Sequence, residues 1–256
     1  MLINYIFYFA AGTFAGSFFY TLAIRYGTGA VKENPFRALF SLSACPNCGK
    51  NIFPIYLIPI VGYIILRGRC SSCKSRISIS YPLMEILYGI LALSVAYFHG
   101  TDLLSLFIYL ICCVSITIAI IDFKTMIIPF SLIIVFFLLS IYPVIVRCEI
   151  KDNLYGLLFL TVIFLIIMFI FPGSFGGGDL KFYSAAGFLL GFEMSIVLLE
   201  VSLITGALAG VIWAGLNGWN FKIKIPFAPF ISAGIVITLL FGHTIILYYN
   251  RILGGV

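Results

Sequence analysis

Two aspartates in this chain are placed to do chemistry together. Asp122 lies in Ile-Asp-Phe-Lys-Thr-Met-Ile-Ile-Pro (121–129) and Asp179 in Gly-Gly-Gly-Asp-Leu-Lys (176–181), each beside a long apolar stretch. Carboxylates at the edge of a bilayer are costly to keep and mark functional sites by default. Two that share a site can divide acid and base roles and activate a water. Each also has a plain structural reading. Asp122 alone is a juxtamembrane acid solvated near Lys124. Asp179 alone caps a helix that follows the break made by Pro172, Gly173 and Gly176 to Gly178. In the functional reading, Gly176 and Gly178 let backbone and substrate come close to a reactive carboxylate, and the glycine-rich surface holds an extended peptide.

A second cluster is built from sulfur. Four of the seven cysteines form Cys45-Pro-Asn-Cys48 and Cys70-Ser-Ser-Cys73, two Cys-x-x-Cys knuckles with 21 residues between them. Each knuckle offers two thiolates on one tight turn, which suits tetrahedral zinc, and four sulfurs leave no open position, so the metal is structural. A disulfide reading competes, but the loop's basic residues place it in a reducing compartment. Cys112 and Cys113 read as packing residues within a helix. Glu85, in Tyr-Pro-Leu-Met-Glu (81–85), falls about one turn inside an apolar helix. There a carboxylate needs a partner or a role, the plain alternative being support of its own helix start.

These groups must be held by membrane-spanning elements. The 256 residues are 62% hydrophobic and 9% charged, with a mean hydropathy of +1.18, whereas soluble domains carry about 25% charged residues. That excludes a large soluble core, and the net charge of +6 reads as membrane topology, with no nucleic-acid partner implied. The fold class is all-α: a polytopic membrane protein of about eight helices near 4–24, 82–98, 103–121, 128–146, 153–172, 182–199, 201–217 and 226–249. The sixth is short, and Glu200 falls in the turn after it. Asp102 reads as an N-cap. With the N-terminus outside, the inner loops hold Arg25, Lys32, Arg37, Lys50, Arg67, Arg69, Lys74, Arg76, Lys124, Lys181, Lys222 and Lys224. The outer side holds only Arg147, Lys151 and Arg251. Both aspartates then share the cytoplasmic face. The division is a first helix (1–24), a cytoplasmic four-cysteine loop domain (25–81) and a membrane part carrying the acids (82–256). Within the loop, Phe53 to Leu66 is apolar but broken by Pro54 and Pro59, which predicts an interfacial or partly buried hairpin in place of a span.

Taken in order, the motifs resemble one family, the bacterial type IV prepilin peptidases that are also N-methyltransferases. The resemblance covers nearly the whole chain. It includes Phe-Ala-Gly-Ser-Phe-Phe (14–19) with Arg25, both cysteine knuckles, Ile-Ser-Ile-Ser-Tyr-Pro-Leu-Met-Glu (77–85), the two aspartate motifs and Pro-Phe-Ala-Pro-Phe (226–230). The chain departs from the family pattern at Tyr20, where the family has Asn, at Ser41-Leu-Ser43, and at Ala228, where the family has Gly. The resemblance implies an aspartic peptidase of the Gly-x-Gly-Asp type with Asp122 and Asp179 as the catalytic pair. Glu85, Gly176, Gly178 and Lys181 are its supporting residues. It implies zinc on Cys45, Cys48, Cys70 and Cys73, and S-adenosylmethionine as methyl donor. Prepilins or pseudopilins would be cleaved at the cytoplasmic face of the bacterial inner membrane, amid membrane lipid, and the new N-terminus methylated. Two alternatives stand beside it: a Gly-x-Gly-Asp peptidase without methyl transfer, and a zinc-stabilised scaffold or transporter. The pilin system served and the oligomeric state are not legible.

Overall fold

The computed structural model describes residues 2–29, 43–218 and 225–252. The loop cations Lys32, Arg37, Lys222 and Lys224, and Ser41 before the first knuckle, lie outside them. The described residues form α1 (Leu2–Gly27), a 3-10 turn (Pro54–Leu57), α2 (Val61–Ile65), α3 (Ser80–His99), α4 (Leu103–Thr125), α5 (Phe130–Arg147), α6 (Ile150–Ile170), α7 (Gly177–Leu190), α8 (Phe192–Leu216) and α9 (Ala228–Ile252). Extended pairing among them is limited to two isolated bridges, Ala44 with Asn51 and Arg69 with Arg76. The all-helical expectation holds. Seven of the helices, α1, α3, α4, α5, α6, α8 and α9, are long and apolar enough to cross a membrane. The eighth long helix, α7, has 14 residues, about 21 Å of rise against a hydrocarbon layer of about 30 Å.

The helix break after α7 differs from the sequence expectation. It falls at Gly191, whose φ of 80° requires glycine, and not near residue 200. Glu200 sits inside α8 and accepts a hydrogen bond from the Tyr249 hydroxyl of α9 at 2.7 Å.

The chain divides into two compact units, 1–100 and 101–256. In the first, α1 packs antiparallel on α3. Gly12 and Gly16, one helical turn apart, let the backbones touch: a Cβ at Gly12 would lie 2.7 Å from the Ala92 Cβ, and one at Gly16 2.8 Å from the Tyr88 Cβ. Small residues at this spacing are what bilayer helices use to pack, since lipid supplies no hydrophobic drive between them. In the second unit α7 is central and touches α5, α6, α8 and α9. Gly156 and Gly187 meet backbone to backbone, so α6 and α7 lie as close as helices can. Asp102 caps α4 as expected, accepting from the Ser105 N–H at 2.9 Å. Cys112 and Cys113 are fully buried core residues.

Candidate active site

Asp122 occupies the last turn of α4, whose end is set by Met126 in the left-handed conformation. A carboxylate there opposes the dipole of its own helix. The second unit compensates with another helix end. The Ala228 N–H, at the start of α9, donates to Asp122 Oδ2 at 3.0 Å, and the Phe227 N–H also bonds this carboxylate. The α9 start is fixed against α4 by Ser232, whose hydroxyl donates to the Ser115 carbonyl at 2.7 Å in a buried contact. Asp122 is 5% exposed.

Asp179 is not the N-cap expected from sequence. Gly176 is the N-cap, and Asp179 is the third residue of α7, reaching back to accept from the Gly176 N–H at 2.9 Å. The difference arises because Gly177 and Gly178 join the helix. Burial pushes the Asp179 carboxyl up to about 6, against the pull of the Gly176 N–H, and the charge of Asp122 raises it further. The two acids therefore sense each other. What brings them together is Gly178: a Cβ there would lie 3.0 Å from the Ile128 Cβ. The start of α7 thus rests on the loop that follows Asp122. Between the acids run α5 and α6, both of spanning length, so the chain crosses twice and both acids finish on one side.

The other expected residues divide. Gly176 supplies the N–H to Asp179, Gly178 the close approach, and Gly177 faces open space. Lys181 sits 4.5 Å from the centre of the Phe130 ring, a cation–π contact to the start of α5. An aromatic cluster that sequence reasoning did not assign to the site joins the elements that carry the acids and their N–H donors. Phe164 stacks on Tyr183 at 3.9 Å, Phe175 meets Phe227 edge-on at 4.7 Å, and the Tyr183 hydroxyl donates to Ser202 Oγ at 2.6 Å. Phe227 and Ala228 were visible only as a motif. The helix-entry pattern Pro-Phe-Ala-Pro-Phe was the one signal available, because their contribution to Asp122 is made by backbone.

The first unit holds the other expected groups. The four cysteine sulfurs Cys45, Cys48, Cys70 and Cys73 lie within 4.8 Å of one another. Tetrahedral zinc with Zn–S bonds of about 2.3 Å needs sulfurs about 3.8 Å apart, and the Cys45 and Cys73 sulfurs are 3.8 Å apart. The two knuckles are the same turn made twice. Gly49 and Lys74, each four residues after the first cysteine, are both left-handed, and each N–H returns to that cysteine's carbonyl. Ser75 holds the Cys73 thiol down to about 6 through its hydroxyl and its N–H, which favours the thiolate a metal needs. Glu85 does not serve its own helix start. It is 7% exposed, accepts from the Ile60 N–H at 2.7 Å and bonds the Ser17 hydroxyl. Tyr20, the departure from the family pattern, is buried and donates to Ser80 Oγ at 2.7 Å.

Comparison with known proteins agrees with both units. The family described as the Bacterial Peptidase A24 N-terminal domain matches residues 10–99, and the Type IV leader peptidase family matches residues 108–211. The chain is 33% identical over 255 residues to a prepilin leader peptidase/N-methyltransferase of Bacillus subtilis (strain 168), covering 96% of this chain and 98% of that protein. It is 30% identical over 220 residues to one of Burkholderia pseudomallei (83% and 70% of the two chains) and 29% identical over 214 residues to one of Legionella pneumophila (81% and 75%). No solved structure matches. An all-helical membrane protein with paired acids at one end and a four-cysteine centre, matched over nearly its whole length, belongs to the prepilin leader peptidase/N-methyltransferase family.

Proposed function

We propose that this multi-pass membrane enzyme cleaves the short leader from type IV prepilins or pseudopilins and methylates the new N-terminus, with Asp122 and Asp179 as the catalytic pair of the peptidase. One observation carries the assignment. Two acids from separate helices are brought to one side by Gly178 on Ile128, each held by main-chain N–H groups at a helix start and each within electrostatic reach of the other. Asp122, with two N–H donors, is the base: it takes a proton from water as the water oxygen attacks the scissile carbonyl. Asp179 is the acid that protonates that carbonyl oxygen; on collapse of the tetrahedral diol the C–N bond breaks, the leaving amine takes the proton held by Asp122, and Asp179 recovers its proton from the diol. The rings of Phe175, Tyr183 and Phe227 pack the starts of α7 and α9 together and so hold the N–H donors of both acids in place. Gly176 and Gly177 leave room for an extended peptide, and Lys181 sets the register of α7 on α5.

The segment 25–81 is the methyltransferase-associated domain, and the peptidase chemistry falls in 82–256. Cys45, Cys48, Cys70 and Cys73 would hold a zinc ion that folds the loop and takes no part in the reaction. S-adenosylmethionine supplies the methyl group. Glu85 supports this half by fixing the loop backbone at Ile60. The excess of basic residues in the loops on the acids' side supports a site at the cytoplasmic face of the inner membrane, where a leader with basic residues would be met.

The test is mass spectrometry of a prepilin incubated with the purified enzyme and S-adenosylmethionine, beside Asp122→Asn and Asp179→Asn. Leader loss and one added methyl in the wild type, with neither variant cleaving, is the expected result. Cleavage by either variant overturns the pair. Cleavage without a methyl leaves a peptidase alone.

A further inference from the structure

The 21 residues between the cysteine knuckles form a hairpin whose chemistry suits lipid better than water. From Ile52 to Leu66 it carries no charged side chain, and Phe53, Ile55, Leu57, Ile58, Val61, Ile64 and Ile65 are all exposed. Its tip is a γ-turn centred on Ile60 at φ 64°, ψ −53°, closed by the Val61 N–H on the Pro59 carbonyl at 2.6 Å. A β-branched residue at positive φ is strained, and such strain persists only where the surroundings enforce it. Here Glu85 does so by accepting from the Ile60 N–H.

That bond also fixes the depth of the tip. Glu85 lies five residues inside α3, a helix of spanning length, which is about 7 Å along the axis. On α1 the same level is Gly16 and Ser17, ten residues or about 15 Å from the helix end at Gly27. Non-helical backbone is tolerated at such depth only when its polar groups are paired, and around the tip they are. Pro59 has no N–H, Ile60 donates to Glu85, Val61 to the Pro59 carbonyl and Gly62 to the Ile58 carbonyl. Gly62 is required there, since a Cβ would lie 2.1 Å from the Tyr56 carbonyl oxygen. At the base of the hairpin the pattern reverses: Lys50, Arg67, Arg69, Lys74 and Arg76 are all exposed, the arrangement that meets anionic headgroups.

We propose that the hairpin from Phe53 to Leu66 is a re-entrant element whose apolar tip inserts into the phospholipid leaflet on the side of the four-cysteine centre, latched at its depth by Glu85. The cations at its base sit among the headgroups, and the two knuckles close its neck.

The test uses the full-length protein in nanodiscs containing phosphatidylglycerol, with Trp213→Phe and Trp219→Phe as background and a single reporter, Val61→Trp at the tip or Lys50→Trp at the neck. Lipids brominated near the headgroup end of the acyl chain should remove about half of the tip emission and little of the neck emission, as expected for insertion to about 5–10 Å. Red-shifted, unquenched tip emission places the hairpin in water and overturns the proposal. Blue-shifted emission without bromine quenching means that protein covers it and also overturns it. Adding Glu85→Leu to the tip reporter should lower the quenching while zinc content and helical signal stay unchanged. Quenching equal to that of the parent would remove Glu85 from the proposal.

Discussion

Asp179→Asn should inactivate the enzyme and stabilise it at the same time. Burial pushes the Asp179 carboxyl up to about 6 in the fold, against an ordinary value of 3.8. With the folded value raised, the protonated form contributes stability below pH 4, and this is lost as pH rises through 6. Once ionisation is complete the fold carries a penalty of about 3 kcal/mol, at about 1.4 kcal/mol per pH interval. The favourable effect of an acid in the first turn of α7, about 0.3–1 kcal/mol, is smaller and already opposes the burial. Asparagine keeps an oxygen for the Gly176 N–H and cannot ionise. Allowing for solvent screening at a partly exposed site, the variant should gain about 1–3 kcal/mol at pH 8 and close to nothing at pH 4. Thermal unfolding of both proteins in the same micelle at the two pH values measures this. A variant less stable than wild type at pH 8, or a gap equal at both pH values, would refute the reasoning, because Asp179 would then be an ordinary capping anion.

Further outcomes are expected. Ala228→Pro removes one N–H from Asp122 at the first position of α9, where proline is well tolerated, so prepilin cleavage should fall by about a hundredfold with helical content unchanged. Gly178→Ala presses on the Ile128 Cβ and should lower the cleavage rate, and the double variant Gly178→Ala, Ile128→Gly, which removes that Cβ, should recover part of it; no recovery would mean that the contact does not set the pair. The cleavage rate should decline as pH rises beyond about 6, where Asp179 loses its proton, and a kcat/KM profile flat from pH 5 to 8 would contradict its role as acid. Cys45→Ser or Cys70→Ser should release zinc, read by metal analysis against about one ion per wild-type chain.

Much of the architecture was legible because hydropathy marks spanning helices directly, and α3 to α6 sit close to where composition puts them. The boundary between α7 and α8 was not. In a helix that is apolar all round, periodicity carries no signal, and Glu200 looked like a turn residue because nothing in the sequence shows Tyr249 beside it. The candidate pair was legible as residue types and topology, and the four cysteines as spacing. The supports were not: Ile128 meets Gly178 across 50 residues of chain, and Glu85 finds Ile60 through a turn that no sequence pattern announces.

The hold on Asp122 comes from the amides of Phe227 and Ala228, and amides are the same whatever side chain they carry. An alanine scan across 226–230 would leave both donors in place and report the segment as dispensable. Alanine at 228 in place of the family's glycine keeps the donor unchanged, so substitution tolerance at this position says nothing about its importance. Only a perturbation of the main chain itself, a proline or an ester bond in place of the amide, reads what this part of the molecule does.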